Sequence, residues 1–172
     1  MNKQRRKDIE GAMESADEAK ALLNENSKVA GEIATDLRGG ESEGIRTRLM
    51  NLKTIFETAS GKLDDAKSVI EQAKDEEQDY YDNMPENMQS GDKGSTAEQA
   101  VDDLESCESD LGEAQDTVDG MVSTLEEMIG DETRNEWEES DANSLDEFED
   151  KIGEIETSVE SAQSNADSAA NG

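Results

Sequence analysis

The stretch AEQAVDDLESCESDLGEAQDTVDGMVSTLEEM, residues 97–128, carries the pattern that decides the fold. Its apolar residues recur in alternating steps of three and four, and the residues between them are mostly polar or acidic. The apolar positions are Ala97, Ala100, Leu104, Cys107, Leu111, Ala114, Val118, Met121, Leu125 and Met128. This spacing aligns them in one apolar stripe, or seam, along a helix. We therefore predict a long helix at 96–129, beginning at a Ser95/Glu98 capping box and ending before Gly130.

Three further segments show the same alternation and predict helices at 5–38, 43–81 and 144–169. The second seam extends through Glu77 to Tyr80, and the last follows another capping-box pair, Ser144 and Glu147. The three seams consist of Ile9, Ala12, Ala16, Ala19, Leu23, Asn26, Ala30, Ile33 and Leu37; of Ile45, Leu49, Leu52, Phe56, Ala59, Leu63, Ala66, Ile70 and Ala73; and of Leu145, Phe148, Ile152, Ile155, Val159, Ala162, Ala166 and Ala169.

Short connections between such helices favour antiparallel neighbours, and the many alanines favour close but modest packing. The sequence thus predicts an all-α protein, an elongated antiparallel bundle or coiled coil of about four main helices that forms a single domain over 1–172. We expect either a monomer or a homodimer that pairs through the alanine-rich seams.

The connection DYYDNMPENMQSGDKGSTAEQA, residues 79–100, holds the only proline and both tyrosines. Pro85 disfavours a helical conformation at Met84, and Gly91 and Gly94 supply a permissive backbone before the predicted cap. We interpret the stretch as the corner between the second and third long helices.

Catalytic and metal-binding motifs are missing from the sequence. The chain has no histidine to act as a base, its glycines form no phosphate-binding loop, and Cys107 is alone. The segments 82–93 and 131–142 lack the acid spacing of an EF-hand calcium loop. We predict no enzymatic activity, no cofactor and no metal.

No apolar run approaches the roughly 18 residues of a membrane span, and no signal-peptide core follows the basic start MNKQRRKDIE. The sequence predicts a cytoplasmic protein without membrane contact. Its formal net charge of −30 also argues against direct binding of DNA or RNA, because phosphates would be repelled.

The acidity is concentrated in the second half of the chain. Residues 1–93 contain 21 acids and 14 bases, whereas the acid-rich half, 94–172, contains 25 acids and only two bases, Arg134 and Lys151. The acids of the predicted third helix all lie off its seam, so they face solvent or a partner. Like charges packed this closely destabilise a folded chain, which indicates a functional reason for them.

The segment DEEQDYYDNMPENMQSGDKGSTAEQAVDDLE, residues 75–105, resembles a stretch found in uncharacterised small acidic helical proteins encoded by bacteriophages and prophages. The resemblance implies a phage setting, with a role against host machinery in the host-cell cytoplasm. It transfers no functional residues.

Three hypotheses account for the charge. The chain is a DNA mimic that occupies the basic groove of a host nucleic-acid-handling protein, such as a defence nuclease, restriction enzyme, CRISPR effector or repair enzyme. Alternatively, it is an acidic coiled-coil structural or interaction protein, or its acidity is an adaptation to salt. Salt adaptation is disfavoured because residues 1–93 retain many Lys and Arg. An ordinary acidic coiled coil is disfavoured because the predicted third helix has no interspersed basic residue.

Mimicry predicts that partner contacts come from acids that stand in for phosphates. The predicted contacts are Asp102, Asp103, Glu105, Asp110, Glu113, Glu126, Glu127, Glu138 and Glu139. Trp137 is either an aromatic anchor at the interface or a plug at the end of the bundle. We expect Tyr80 to cap its seam and Tyr81 to be exposed.

Overall fold

The structure, a computed structural model, describes residues 1–41, 43–130 and 136–171. It contains α1 (Lys3–Arg38), α2 (Ile45–Asp82), the short α3 (Glu86–Gln89), α4 (Asp92–Ile129) and α5 (Glu139–Asn171). No strand occurs within these ranges. The prediction of an all-α protein with four long helices is confirmed, and α3 is an additional element within the predicted connection.

The four long helices pack as a ring in which α1 contacts α2 and α5, and α4 contacts α2 and α5. Nearly all the predicted seam residues are buried in one shared core. Asn26 and Leu37 are exceptions because they are only partly buried, and Ala97 is buried but lies outside this core. Because the seams are covered by the chain's own helices, they are not exposed for pairing with a second copy.

The starts of α4 and α5 differ from the predictions. Helix α4 begins at Asp92, so the Ser95/Glu98 pair lies inside the helix, where Ser95 N donates to Gly91 O at 3.1 Å. Helix α5 begins at Glu139, not at 144. Its start is stabilised by the Asp141 carboxylate, which accepts a hydrogen bond from Glu138 N at 2.8 Å.

The corner between α2 and α4 is held by specific contacts. The Gln89 side chain donates to the carbonyl of Tyr81 at 3.0 Å and to that of Asp82 at 3.4 Å, which satisfies backbone acceptors at the end of α2. Gly94 is buried, and a Cβ there would lie 1.9 Å from Gln89 O. Gly94 is therefore required for close approach, not for the flexibility that we predicted.

Glu77 is the end of the α2 seam, and it is fully buried. Its carboxylate forms an ion pair with Arg5 and lies 3.7 Å from Met1 N. Arg5 belongs to the basic N-terminal cluster, which consists of Lys3, Arg5, Arg6 and Lys7. Tyr80 is 44% exposed, whereas Tyr81 is only partly exposed, so the prediction that Tyr80 caps the seam was wrong. The ion pair with Arg5 joins the start of α1 to α2, and Glu77 is the last buried position of the α2 seam.

The two ends of the core differ in side-chain size. The alanine end comprises 3–21, 62–82, 92–110 and 156–171, and the phenylalanine end comprises 22–38, 45–61, 111–129 and 139–155. In the phenylalanine end, the rings of Phe56 and Phe148 pack with centroids 5.8 Å apart. In the alanine end, most of the buried positions are alanines. The phenylalanine end therefore buries more apolar area per residue.

Among the described residues, no helix combines the length and the apolar character that crossing a membrane requires.

Candidate acidic interaction surface

The bundle has two sides of different charge. Helices α1 and α2, which contact each other, carry 17 acids and 13 bases together. Helices α4 and α5, also in contact, carry 22 acids and two bases, Lys93 and Lys151. The fold thus gathers the acids of two helices on one side of the molecule.

Along one flank, α4 is neutralised by α2. Lys74 forms an ion pair with Glu108, and Lys53 Nζ lies 3.0 Å from Glu126 Oε1. The hydrogen bond from Lys74 to Glu108 raises the pKa of Lys74 above its usual range. Hydrogen bonds to Glu57 and then to Glu126 raise the pKa of Lys53 in the same direction. This flank is an ordinary interhelical arrangement of opposite charges.

Along the other flank, α4 meets α5 without cations. Asp110 accepts hydrogen bonds from the Ser161 hydroxyl and the Asn165 amide, both at 2.8 Å. In the described ranges, no ion pair joins α4 to α5. Neutral donors satisfy the Asp110 carboxylate but leave its charge in place.

Three of the predicted contact acids, Asp102, Glu105 and Glu113, are exposed on α4. Their carboxylates accept no hydrogen bond and form no ion pair within the described part of the chain. Glu98 and Asp116 are exposed on the same helix and likewise form no ion pair within the described residues, although the predicted set omits them. Because these positions lie on the part of α4 that faces away from its apolar seam, they form the best candidate for a surface that a partner contacts.

The other predicted acids are placed differently. Glu126 is paired with Lys53, and Asp110 is engaged with α5, so neither is free to act as a phosphate substitute without competition. Asp103 is partly exposed and accepts a hydrogen bond from Gln99 at 2.9 Å. Glu127 is exposed at the end of α4.

Glu138 and Glu139 lie at the start of α5 and are exposed. The Glu138 carboxylate accepts a hydrogen bond from the Ser140 hydroxyl at 3.4 Å. Between the two long helices, residues 131–135, which include most of the first half of the segment tested for a calcium loop, lie outside the described residues. Trp137 is partly buried and packs against the hydrophobic core, as a side chain that closes the end of the bundle would.

Apart from Glu139, the acids of α5 were not among the predicted contacts, although the fold places this helix beside α4. Glu147, Asp150 and Glu154 are exposed on this helix. The excess of acids over bases in 139–171 is the signal that identifies them, because only Lys151 offsets ten acids there. The acidic surface therefore spans two helices, not one.

Cys107 is fully buried in the core, and burial raises the pKa of its thiol to about 12, with further contributions from Asp110 and Glu108. A thiol of this kind stays protonated at neutral pH and is a poor nucleophile. In the described part of the chain, no group of three or more Cys, Asp or Glu side chains is arranged to hold a metal ion.

Comparison with known proteins gave no match to a family model, to a curated protein or to a solved structure.

Proposed function

We propose that the chain is an elongated antiparallel bundle that acts as a DNA mimic. In this proposal, the α4 and α5 side enters the basic groove of a host nucleic-acid-handling protein and blocks access of nucleic acid. The observation that carries the proposal is the difference in charge between the two sides, with 22 acids and two bases on α4 and α5. The protein itself binds no nucleic acid, and its proposed place of action is the cytoplasm of a phage-infected host.

The charge density of this side supports the proposal. Helix α4 has 38 residues and is therefore about 57 Å long at 1.5 Å per residue. The net charge of −20 on α4 and α5 over that length is about one charge per 3 Å. A single DNA strand carries one phosphate per 3.4 Å or so. A partner built to follow a DNA strand would meet a similar linear charge.

The distribution of bases supports it further. Lysines of α2 form ion pairs with Glu108 and Glu126 on the flank of α4 that faces them, whereas Asp102, Glu105 and Glu113 form no ion pair within the described residues. Uncompensated carboxylates steer a basic partner toward this side and lose their effect as salt screens them. Binding by mimicry should accordingly be fast and should weaken steeply with ionic strength.

The test is charge reversal on one side at a time. The acidic-side variant carries Asp102→Lys, Glu105→Lys, Glu113→Lys and Asp116→Lys. The matched control carries Glu10→Lys, Glu14→Lys, Glu25→Lys and Glu71→Lys, four exposed acids of α1 and α2, and has the same net charge. A partner is isolated from bacterial lysate with the parent chain and is then offered duplex DNA in competition.

Mimicry requires that DNA displace the parent chain, that the acidic-side variant lose binding by at least about a hundredfold, and that the control retain most of it. A partner that holds DNA and this chain at the same time would contradict the proposal. So would equal losses in the two variants, which would point to total charge instead of one surface.

The second candidate is an acidic coiled-coil structural or interaction protein without mimicry. The ion pairs Lys74–Glu108 and Lys53–Glu126 favour it, because pairing of this kind is typical of ordinary helical bundles. It predicts a partner whose binding does not compete with DNA. The burial of all four seams within one chain supports a monomer as the acting species in either case, which light scattering measures directly.

A further inference from the structure

The first half of α1, residues 3–21, contributes few large apolar side chains to the core. It buries only two large apolar side chains, Ile9 and Met13, together with three alanines. The buried positions at this end of the neighbouring helices include the small residues Ala66 and Ala73 of α2 and Ala162 and Ala166 of α5, beside the larger Leu63, Ile70 and Val159. Small side chains on both sides of a contact leave little apolar area to hold the helix in place.

Open grooves run along both flanks of this segment. One, of about 590 Å³, separates α1 from α2 and is lined by Gly11, Ser15 and Val69, among others. The other, of about 570 Å³, separates α1 from α5 and is lined by Met13 and Gln163, among others. Every α1 residue that lines either groove falls within 5–21. Water therefore reaches both edges of the same stretch of helix.

Buried charged groups at the start of this segment lower the stability of its contact with α2. Arg5 pairs with the fully buried Glu77. Within the described residues, Glu77 Oε1 accepts no hydrogen bond, although Met1 N lies 3.7 Å from it, and Arg6 Nε donates none, while both atoms are shielded from solvent. Buried polar atoms that lack a hydrogen bond lower the stability of the contact that buries them. They would regain hydrogen bonds with water if the segment detached.

The neighbouring ends of α2 and α4 lack this weakness. The Gln89 side chain caps α2, and the buried Gly94 lets α4 pack closely against the Gln89 backbone. The corner thus fixes α2 and α4 to each other at the alanine end, and α1 packs against α2 from outside that pair.

We propose that residues 3–21 are a strap that detaches from α2 and α5 without global unfolding. Detachment exposes the seam of α2 around Ala66 and Ile70 and frees the basic cluster that contains Arg5 from Glu76 and Glu77. Local opening of this kind occurs where few apolar contacts and many solvent-accessible edges coincide. The acidic side, on α4 and α5, does not take part in the movement.

Native-state hydrogen exchange of the full chain tests the strap with two matched variants. Gly11→Ala lies within the strap and Gly120→Ala lies in α4, and an added Cβ meets no atom within 4 Å at either site. Both glycines are exposed and helical, so each substitution stabilises its own helix to a similar extent. Thermal unfolding followed by circular dichroism should confirm that both variants gain global stability.

If residues 3–21 detach locally, amide hydrogens of residues 9–19 should exchange with solvent faster than those of residues 49–56 in the parent chain. Gly11→Ala should slow the 9–19 amides by about fivefold, the factor that corresponds to replacing helical Gly by Ala. Gly120→Ala should leave them unchanged, because α4 stays helical when the strap opens. If Gly120→Ala slows the 9–19 amides as much as Gly11→Ala does, these amides exchange only through global unfolding and the strap does not exist.

Discussion

The two sides of the bundle share one apolar core but differ in how far their acidic residues are paired with basic ones. Helices α1 and α2 carry 17 acids and 13 bases, and their charges pair across the interface, as Lys62 does with Glu18 at 2.5 Å. Helices α4 and α5 carry 22 acids and two bases, and Asp110 meets only neutral donors across theirs. The apolar seams of the four helices follow the same alternation of three- and four-residue steps on both sides. The comparison teaches that the same apolar repeat supports helix packing under either pattern of surface charge, so the charge can differ between the two sides without a change of fold.

The corner at 83–91 joins the two sides, so the largest effect should come from breaking it. Gly94→Ala places a Cβ 1.9 Å from the backbone oxygen of Gln89, which cannot move away as a flexible side chain would. We expect a loss of about 3 kcal/mol in the free energy of unfolding, at the upper range for overpacking. Urea denaturation followed by circular dichroism measures this loss.

Gly91→Ala is the matched control for the corner. Gly91 precedes α4, and an added Cβ there makes ordinary contacts at 3.7 Å with the carbonyl oxygens of Asn87 and Met88. We expect its unfolding free energy to stay within about 0.5 kcal/mol of the parent value, as for most surface substitutions. Equal losses at the two positions would mean that backbone freedom, not close approach, is what the corner requires.

The corner also shows where inference from the sequence ends. The apolar alternation predicts the four long helices because a helix is the conformation in which each segment can bury its apolar residues along one face. It does not predict that Gly94 is buried, since close approach depends on where the Gln89 backbone lies after the helices dock. Ser95 and Ser144 resemble caps by spacing, but α4 and α5 begin three and five residues earlier, and the start of α5 is stabilised by the hydrogen bond from Glu138 N to Asp141 instead.

The candidate surface was predictable in part for the same reason. Heptad position predicts that Asp102, Glu105 and Glu113 are exposed, and they are. It does not predict that Glu126 meets Lys53 or that Asp110 meets Asn165, because those contacts depend on which helices are neighbours. Likewise, the sequence gives no sign that Glu77 is buried instead of Tyr80, since the ion pair with Arg5 forms only when α1 packs on α2.

Neutralising acids on each side in turn sharpens the comparison. We expect Asp102→Asn, Glu105→Gln and Glu113→Gln together to raise the unfolding free energy by about 1 kcal/mol at low salt, roughly 0.3 kcal/mol for each relieved like-charge contact. Within the described residues, none of these three acids forms an ion pair. Unfolding free energies at 10 mM and at 1 M salt measure the effect, and the gain should vanish at 1 M because screening then reaches only about 3 Å.

The control for neutralisation is Glu10→Gln, Glu14→Gln and Glu25→Gln on α1, where seven bases accompany eight acids. This triple variant should change the unfolding free energy by less than about 0.5 kcal/mol at either salt concentration. Should the two triple variants behave alike, the repulsion would be a property of the whole chain, and salt adaptation would explain the acidity better than a specialised side does.

The smallest effect concerns two contacts of α4 that lie two residues apart and face opposite neighbours. Glu108 pairs with Lys74 of α2, and Asp110 accepts a hydrogen bond from Asn165 of α5. A double-mutant cycle should give a coupling energy of about 0.5–1 kcal/mol for each pair near neutral pH. Salt should weaken the coupling of Lys74 with Glu108 more than that of Asp110 with Asn165, because only the former joins two charges.

Alkaline pH separates the same two contacts. The hydrogen bond to Glu108 raises the pKa of Lys74 above its ordinary value of 10.5, so the charged form is favoured in the folded chain. The coupling between Lys74 and Glu108 is therefore fully present below pH 10.5 and is lost as pH rises through the folded pKa. The Asn165 amide does not titrate there, so its coupling with Asp110 should persist. If both couplings fall together above pH 10.5, the loss reflects general unfolding, and the two flanks of α4 do not differ in the way that their contacts indicate.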